Sequence, residues 1–335
     1  MPNYPIGFEP VGTVALLTNP RSGRGSARHA TELALEVFDK RGVNAIAFNA
    51  TSPEDTGRIL QRALADLDFD AIAVCGGDGM LNKVLQETAN TGIPIGIVPA
   101  GSGNDTGRHL RIPFDPAAAA DVIADGFVTT TDLGLITNEA GQSMWFASVL
   151  SCGQDAYWTA RASEYNWVRG PSKFHVAILE GLARFQSHKF RIELEGVHTL
   201  PHLSTEDRLR MEVRDGVVEE GGKLVLERTM YFASFGNTRS YGAGKIICPQ
   251  ADHHDGLLDL TIIEDEAIVP GIFQAPAFVR GDHANIPWVT SYQCQRATVF
   301  SDVDIPAHGD GEPMLVNPFT VEAVPAAGRF IVPAP

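Results

Sequence analysis

Three glycine-bearing turns, each placed where an apolar run ends, constrain this chain more than any other feature: Asn19-Pro-Arg-Ser-Gly23, Gly76-Gly-Asp-Gly79 and Gly101-Ser-Gly-Asn-Asp105. The runs before them, Val14 to Leu17, Asp70 to Cys75 and Ile95 to Val98, are short and read as buried strands. Between the runs the apolar residues change to helical spacing. Ala30, Leu33, Ala34, Val37 and Phe38 share one face up to Gly42, a natural helix stop. A further strand is predicted at Val43 to Phe48. Ser52-Pro-Glu-Asp55 reads as a cap with proline at the first helical position, and Ile59, Leu60, Ala63, Leu64 and Leu67 then line one face. A third helix is predicted over Met80 to Ala89. The resulting βαβαβαβ order predicts an open, largely parallel sheet covered on both faces, whose ligands bind beyond the carboxyl ends of the strands. The three turns therefore converge on one crevice. Glycine lets the backbone approach a phosphate, and backbone N–H groups and helix N-termini supply partial positive charge there. No GxxxxGK[ST] sequence occurs, and Gly23-Arg-Gly25 does not extend to GxGxxG, so the two common nucleotide fingerprints are absent.

The chain has 335 residues, 44% of them hydrophobic and 20% charged, which suits two globular domains. After about Thr131 the texture changes. Arg191 to Val197, Arg210 to Val213, Leu224 to Phe235, Leu257 to Ile263 and Ala297 to Phe300 are β-branched, often alternating segments separated by Gly, Asp and Pro. One helical patch, Ser172 to Gln186, interrupts them. A second domain, mainly antiparallel β and built as a sandwich or distorted barrel, is predicted.

A formal net charge of −15 excludes non-specific nucleic-acid binding, which depends on Lys and Arg releasing counterions. It also excludes global attraction to an anionic bilayer, so any membrane contact must be local. Trp158 to Arg191 is the place for it: Arg161, Arg169, Lys173, Arg184, Lys189 and Arg191 stand against Glu164 and Glu180, interleaved with Trp158, Tyr165, Trp167, Phe174, Phe185 and Phe190. Aromatic rings beside cations suit a headgroup layer, and a core helix with a solvated basic face is the alternative. Cys75, Cys152, Cys248 and Cys294 form no CxxC pair and read as buried free thiols of a reducing cytosol. Met1 to Pro10 has no signal-peptide pattern, and Ala267 to Val279 is too broken by Pro270, Gln274 and Pro276 to span a bilayer. His253-His254 reads as part of a solvated turn.

Thr18-Asn-Pro-Arg-Ser-Gly23, Gly76-Gly-Asp-Gly-Met-Leu-Asn82, Ile97-Val-Pro-Ala-Gly-Ser-Gly-Asn-Asp105, Asp132-Leu-Gly134, Gly236-Asn237, Asp255-Gly-Leu-Leu-Asp259 and Asp310-Gly-Glu312 resemble, in order and spacing, the motifs of diacylglycerol and sphingosine kinases. The resemblance covers nearly the whole chain. It implies an ATP- and Mg2+-dependent lipid kinase with an α/β nucleotide-binding catalytic domain over residues 10–131, rejoined by residues 320–335, and a β-rich lipid-substrate domain over residues 132–319. ATP is then expected in the interdomain cleft. The family pattern assigns ATP contacts to Asn19, Pro20, Arg21, Ser22, Gly23, Thr51, Gly76, Gly77, Asp78, Gly79, Asn82 and Ser102, with Glu312 in the Asp-Gly-Glu motif. Asp310 matches the catalytic base. Asp252, Asp255 and Leu257 match a magnesium site in which Asp255 gives a carboxylate and the other two give mainly backbone oxygen. The partners implied are a lipid substrate at the membrane surface and ATP, with the enzyme cytoplasmic and peripherally membrane-associated. A homodimer is common for such enzymes, and no residue here supports one.

Two positions depart from the pattern. Met80 stands where Thr is usual, and His253-His254 replace the Lys and Asp that often precede Asp255. Asp78 is the second carboxylate of interest, and it either holds nucleotide-bound magnesium, binds the acceptor hydroxyl or caps its helix. Asn104 and Asp105 order the third loop or contact ligand, and Arg21 and Arg24 meet phosphate or solvent. Gly309 and Gly311 leave room for a substrate oxygen beside Asp310, whereas a plain Asp-Gly hairpin would serve no chemistry. Diacylglycerol, a sphingoid base, a ceramide or a glycerophospholipid hydroxyl all fit as acceptor. Two rivals remain: a soluble-substrate kinase similar to NAD kinases, and a lipid-sensing relative that kept the fold and lost activity.

Overall fold

The computed structural model describes residues 5–19, 26–50, 52–154, 187–198, 218–220, 222–265, 277, 280–283 and 286–335. The chain forms two compact units, Met1–Leu133 with Pro325–Pro335, and Gly134–Val324. The first unit runs β1 (Ile6–Phe8), β2 (Thr13–Thr18), α1 (Ser26–Arg41), β3 (Asn44–Asn49), α2 (Pro53–Asp66), β4 (Ala71–Gly76), α3 (Asp78–Thr88), β5 (Ile95–Pro99), α4 (Asp105–His109), α5 (Pro116–Asp125) and the first half of β6 (Phe127–Asn138).

Parallel pairing places β3 on one side of β2 and β4 on the other, with β5 beyond β4. The first crossover thus runs one way and the second returns past β2. Strand order reverses between β2 and β4, and open α/β sheets bind ligands beyond the strand ends at such a reversal. Asn19 and Gly77 follow those two strands directly. Every residue of β4 and β5 is buried, which explains their unbroken apolar character. Local signals set the helix ends. Ser52 Oγ accepts from Asp55 N at 3.2 Å, closing the cap of α2. At the end of α1, Gly42 takes a φ of +71° and Val43 N donates to Phe38 O at 2.9 Å. Arg41 joins α1 to α5 through Asp121 at 2.9 Å and Asp125 at 2.6 Å.

The second unit contains β7 (Ser143–Phe146), β8 (Val149–Gly153), β9 (His188–Glu195), β10 (Val218–Glu220), β11 (Lys223–Gly236), β12 (Ser240–Tyr241), β13 (Lys245–Ile246), β14 (Leu258–Glu264), β15 (Val289–Cys294), β16 (Arg296–Ser301), β17 (Pro306–Gly309), β18 (Glu312–Val316) and the first part of β19 (Phe319–Ile331). Its pairings are antiparallel. The long strand β11 organises them. Residues 224–230 pair with β9, residues 232–236 pair with β8, and the register shifts between Met230 and Phe232. A bulge bends a strand, so one strand serves two ladders here. Phe146, Leu150, Phe190, Ile192, Leu226, Phe235, Leu260, Val299 and Phe319 fill the resulting core. The strands expected near residues 191–197, 224–235, 257–263 and 297–300 correspond to β9, β11, β14 and β16. Arg210 to Val213 and the helical patch Ser172 to Gln186 lie outside the described residues.

The last strand returns to the first unit, where Phe330 pairs in parallel with Ile95 of β5. Asp132 holds that return. It is 4% exposed, and its Oδ1 accepts from the N–H of Ala326 at 2.9 Å. Ala326 itself has a φ of +57°, a conformation that a non-glycine residue keeps only when its surroundings fix it. The Asp-Leu-Gly motif is therefore a brace. Asp132→Ala is expected to lower unfolding stability by about 1–3 kcal/mol, the worth of a hydrogen bond to a charged group, and Asp132→Asn to restore part of it. Chemical denaturation of the three proteins checks this.

Candidate functional site

In the first unit the second and third glycine turns meet backbone to backbone. A Cβ on Gly101 would stand 2.4 Å from Gly77 Cα, and one on Gly77 would stand 2.9 Å from Gly101 Cα. Real Cβ atoms do not tolerate such distances, so both positions require glycine for space. Hydrogen bonds hold the contact: Ala100 N donates to Gly76 O at 2.9 Å, continuing the β4–β5 ladder past the strand ends. Asn104, at φ +53°, turns its side chain back on Gly101, accepting from its N–H at 3.0 Å and donating to its carbonyl at 2.9 Å. Asn104 thus orders the third loop, as the sequence predicts. Asp78 opens α3 after Gly77 and its Oδ1 accepts from Thr106 N at 3.3 Å, so one carboxylate joins the two turns. Met80 lays its sulfur over Gly76, where an added Cβ would lie 2.9 Å from Sδ.

In the second unit Asp310 sits in a left-handed turn, φ +54°, between β17 and β18. Its Oδ2 accepts from Ala147 N at 2.9 Å, and its Oδ1 accepts from Ser148 N at 2.8 Å and Ser148 Oγ at 2.6 Å. A carboxylate fixed by donors from the turn between β7 and β8 is more than a hairpin residue. The two flanking glycines differ in role. A Cβ on Gly309 would meet Met314 Cε at 2.5 Å and Phe146 Cβ at 3.1 Å, so this glycine is small for packing. Gly311 has nothing within 4 Å of an added Cβ and a φ of +82°.

The Asp252–Asp259 loop gathers oxygen donors. Asp252 Oδ1 accepts from His254 N at 3.1 Å, and Asp255 Oδ1 accepts from Leu257 N at 2.9 Å. Burial pushes the Asp259 carboxyl up to about 7, the charges of Asp255 and Asp252 add to the rise, and the hydrogen bond from Gln293 Nε2 at 3.2 Å opposes it. Asp252 and Asp255 lie in the loop and the buried Asp259 follows on β14. His253-His254 correct the sequence expectation. The turn is there, but His253 is 2% exposed, because the neighbouring Ala251 and Leu257 are buried and carry the turn down into the unit. The two ring centroids lie 4.0 Å apart with the planes tilted by 57°, and Asp252, His253 and His254 bring one ligand atom each within 4.8 Å of one another.

The remaining site residues distribute as follows. Asn19 is half-buried beyond β2, Gly79 lies in the first turn of α3, Ser102 is exposed in the third loop, and Glu312 opens β18 opposite Gly309. Asn82 is fully buried on α3, with its Oδ1 accepting from Gln86 Nε2 at 3.2 Å. Pro20, Arg21, Ser22, Gly23, Arg24 and Thr51 lie outside the described residues. So does most of Trp158 to Arg191; of its cations Lys189 and Arg191 are described, and Arg191 is paired with Glu193 at 3.1 Å and Glu227 at 3.2 Å. All four cysteines are free and buried, as expected. Among the described residues no helix is long and apolar enough to cross a membrane.

Two family models match this architecture, the diacylglycerol kinase catalytic domain over residues 13–136 and the YegS C-terminal NAD kinase beta sandwich-like domain over residues 148–332. The chain therefore belongs to the diacylglycerol kinase family of lipid kinases, enzymes that transfer phosphate to an alcohol. A curated diacylglycerol kinase of Mycobacterium tuberculosis is 35% identical over 324 residues, covering 96% of each chain. Another, from Staphylococcus aureus, is 27% identical over 89% of this chain and 85% of its own. Two crystal structures from Bacillus anthracis str. Sterne superimpose with TM-scores of 0.72 and 0.67 at 17% identity, each over 96% of this chain and 97% of its own, and share the fold.

Because the Gly77–Gly101 contact leaves no space for a methyl group, Gly101→Ala is expected to force the two turns apart and to cost about 1–3 kcal/mol, as overpacking does. Gly92→Ala, at a positive φ with nothing within 4 Å of the added Cβ, is the control that carries backbone strain without a clash. Thermal unfolding of both variants separates crowding from strain.

Proposed function

We propose that the protein transfers the γ-phosphoryl group of ATP to a hydroxyl of diacylglycerol or a related lipid at a membrane surface. The observation that carries this reading furthest is the fixed carboxylate of Asp310. A turn residue needs no such clamp, whereas a proton acceptor does, since phosphoryl transfer asks a protein for positioning and charge neutralisation more than for covalent work. Asp310 takes the proton of the acceptor hydroxyl in this scheme. Its hydrogen bonds to residues 147 and 148 hold it in one orientation while that proton leaves.

The glycine turns take the nucleotide. Backbone N–H groups at the start of α3 face the triphosphate, with Asn19 to Gly23, Thr51 and Ser102 completing the set, while the N–H groups of Ala100 and Gly101 hold the turns themselves together. Asp78 ties the second turn to the third and fixes the spacing of those donors. Asp252, Asp255 and the backbone oxygen of Leu257 are the residues suited to magnesium, which when bound supplies positive charge against the carboxylates of that loop. Support for the lipid acceptor is the family membership and the names of the curated relatives.

Asp310→Asn is expected to lower kcat by about 10²–10⁴, the usual contribution of a general base, and to leave ATP affinity unchanged. The assay is labelled phosphate transfer to vesicles of a lipid panel, with products separated by thin-layer chromatography and nucleotide binding measured in parallel on folded protein. A variant keeping more than about a tenth of the wild-type kcat moves the base role away from Asp310.

A further inference from the structure

The strand that leads to Asp310 carries a second polar group, His308, which faces away from the main core. Ala307 belongs to that core, and the missing side chain of Gly309 points at Met314 and Phe146 within it. Side chains alternate along a strand, so His308, between them, points to the opposite face of the sheet. There it begins a stripe. His308 pairs with Ser151 of β8, Ser151 with Ser234 of β11, and Ser234 with Thr261 of β14. Directly opposed side chains on antiparallel strands are neighbours, and four strands in a row thus present polar groups on one face. All four are buried, His308 being 8% exposed and the others 3% or less.

Three members of the stripe are satisfied internally. Ser151 Oγ and Ser234 Oγ share a hydrogen bond of 2.8 Å, and Thr261 Oγ1 donates to Ile247 O at 2.9 Å. The fourth is not. His308 Nδ1 is buried with no hydrogen-bond partner. Among the described residues it is one of several such buried atoms, and its place two residues before the proposed base is what points to a bound molecule as its partner. Burial also pushes the imidazole's pKa down, so the ring is neutral near pH 7 and suits an uncharged oxygen better than a phosphate.

We propose that His308 is a specificity residue for the acceptor lipid, with Nδ1–H donating to the ester carbonyl that neighbours the hydroxyl to be phosphorylated. The inference rests on the lipid-kinase reading and on Asp310 as the place where that hydroxyl sits. It narrows the acceptor to a neutral glycerolipid ester. No bond forms or breaks at His308; it selects and orients.

The experiment compares a diacylglycerol with its dialkyl ether analogue of equal chain length in mixed micelles, for wild type, His308→Ala and His308→Gln. Wild type is expected to prefer the ester by about 3- to 10-fold in kcat/KM, mainly through KM, as one hydrogen bond allows. His308→Ala should bring the ratio close to one with the KM for ATP unchanged. His308→Gln, which keeps an N–H donor, should retain part of the preference. An equal loss on both lipids with the ratio preserved would show that His308 only packs, and would overturn the inference; so would a wild type indifferent to ester or ether. Should His308→Ala fail to fold, the wild-type ratio and its fate in His308→Gln decide between the same outcomes. A wild type that phosphorylates no lipid at all defeats the kinase reading itself, and the inference with it.

Discussion

The contact between Gly77 and Gly101 is the constraint on which the first unit turns. Two backbone segments stand so close that neither α-carbon has room for a methyl group. This requires β4 and β5 to be neighbours that end level, and Gly76 pairs with Pro99 at the last position of the ladder. It requires β5 to be followed by a sharp reversal, which Asn104 supplies by closing on Gly101. Asp78 then fixes the start of α3 relative to α4 through Thr106. A sheet whose order reverses beside β4 thus ends in two turns locked main chain to main chain, at the strand ends where open α/β sheets bind their ligands.

The second unit solves a different problem. Its long strand β11 divides its pairing at a bulge, which creates one face that is uniformly apolar and another that mixes apolar and polar groups. Asp310 and His308 belong to the strand end where that second face begins. The non-glycine left-handed conformation of Asp310 stores strain that the three hydrogen bonds from residues 147 and 148 offset. A lipid kinase needs such a fixed point, because the acceptor's own flexible chains give little help in aligning a single hydroxyl.

Much of the first unit was legible because its signals are local: Gly, Pro and Asp at strand ends, a Ser-Pro cap and helical spacing between them. The helices α4 and α5 and the short strands β7, β8, β15, β17 and β18 were not read, since segments of four to ten residues show too little periodicity to stand out without their tertiary contacts. The motif places Asn82 in the sequence, but its burial and its bond to Gln86 were not visible there. His253 was read as solvated because its neighbours are typical turn residues, and only the burial of Ala251 and Leu257 reveals its depth. The packing of Met314 and Phe146 against Gly309 was likewise invisible, because both contacts are tertiary. His308 carried no signal at all, because its meaning depends on which way a four-residue strand faces.

The burial of Cys75, Cys152, Cys248 and Cys294 has a practical side. Desolvation pushes the thiols of Cys75, Cys248 and Cys294 upward, Cys294 to about 12, so at neutral pH they hold their protons. The thiolate is the reactive form, and these sulfurs are silent toward alkylating reagents while the protein is folded. A cysteine introduced at an exposed position such as Val316 would then be the one site that takes a dye or spin label. The native sequence is already a background for single-site spectroscopy, with no need to remove its own cysteines.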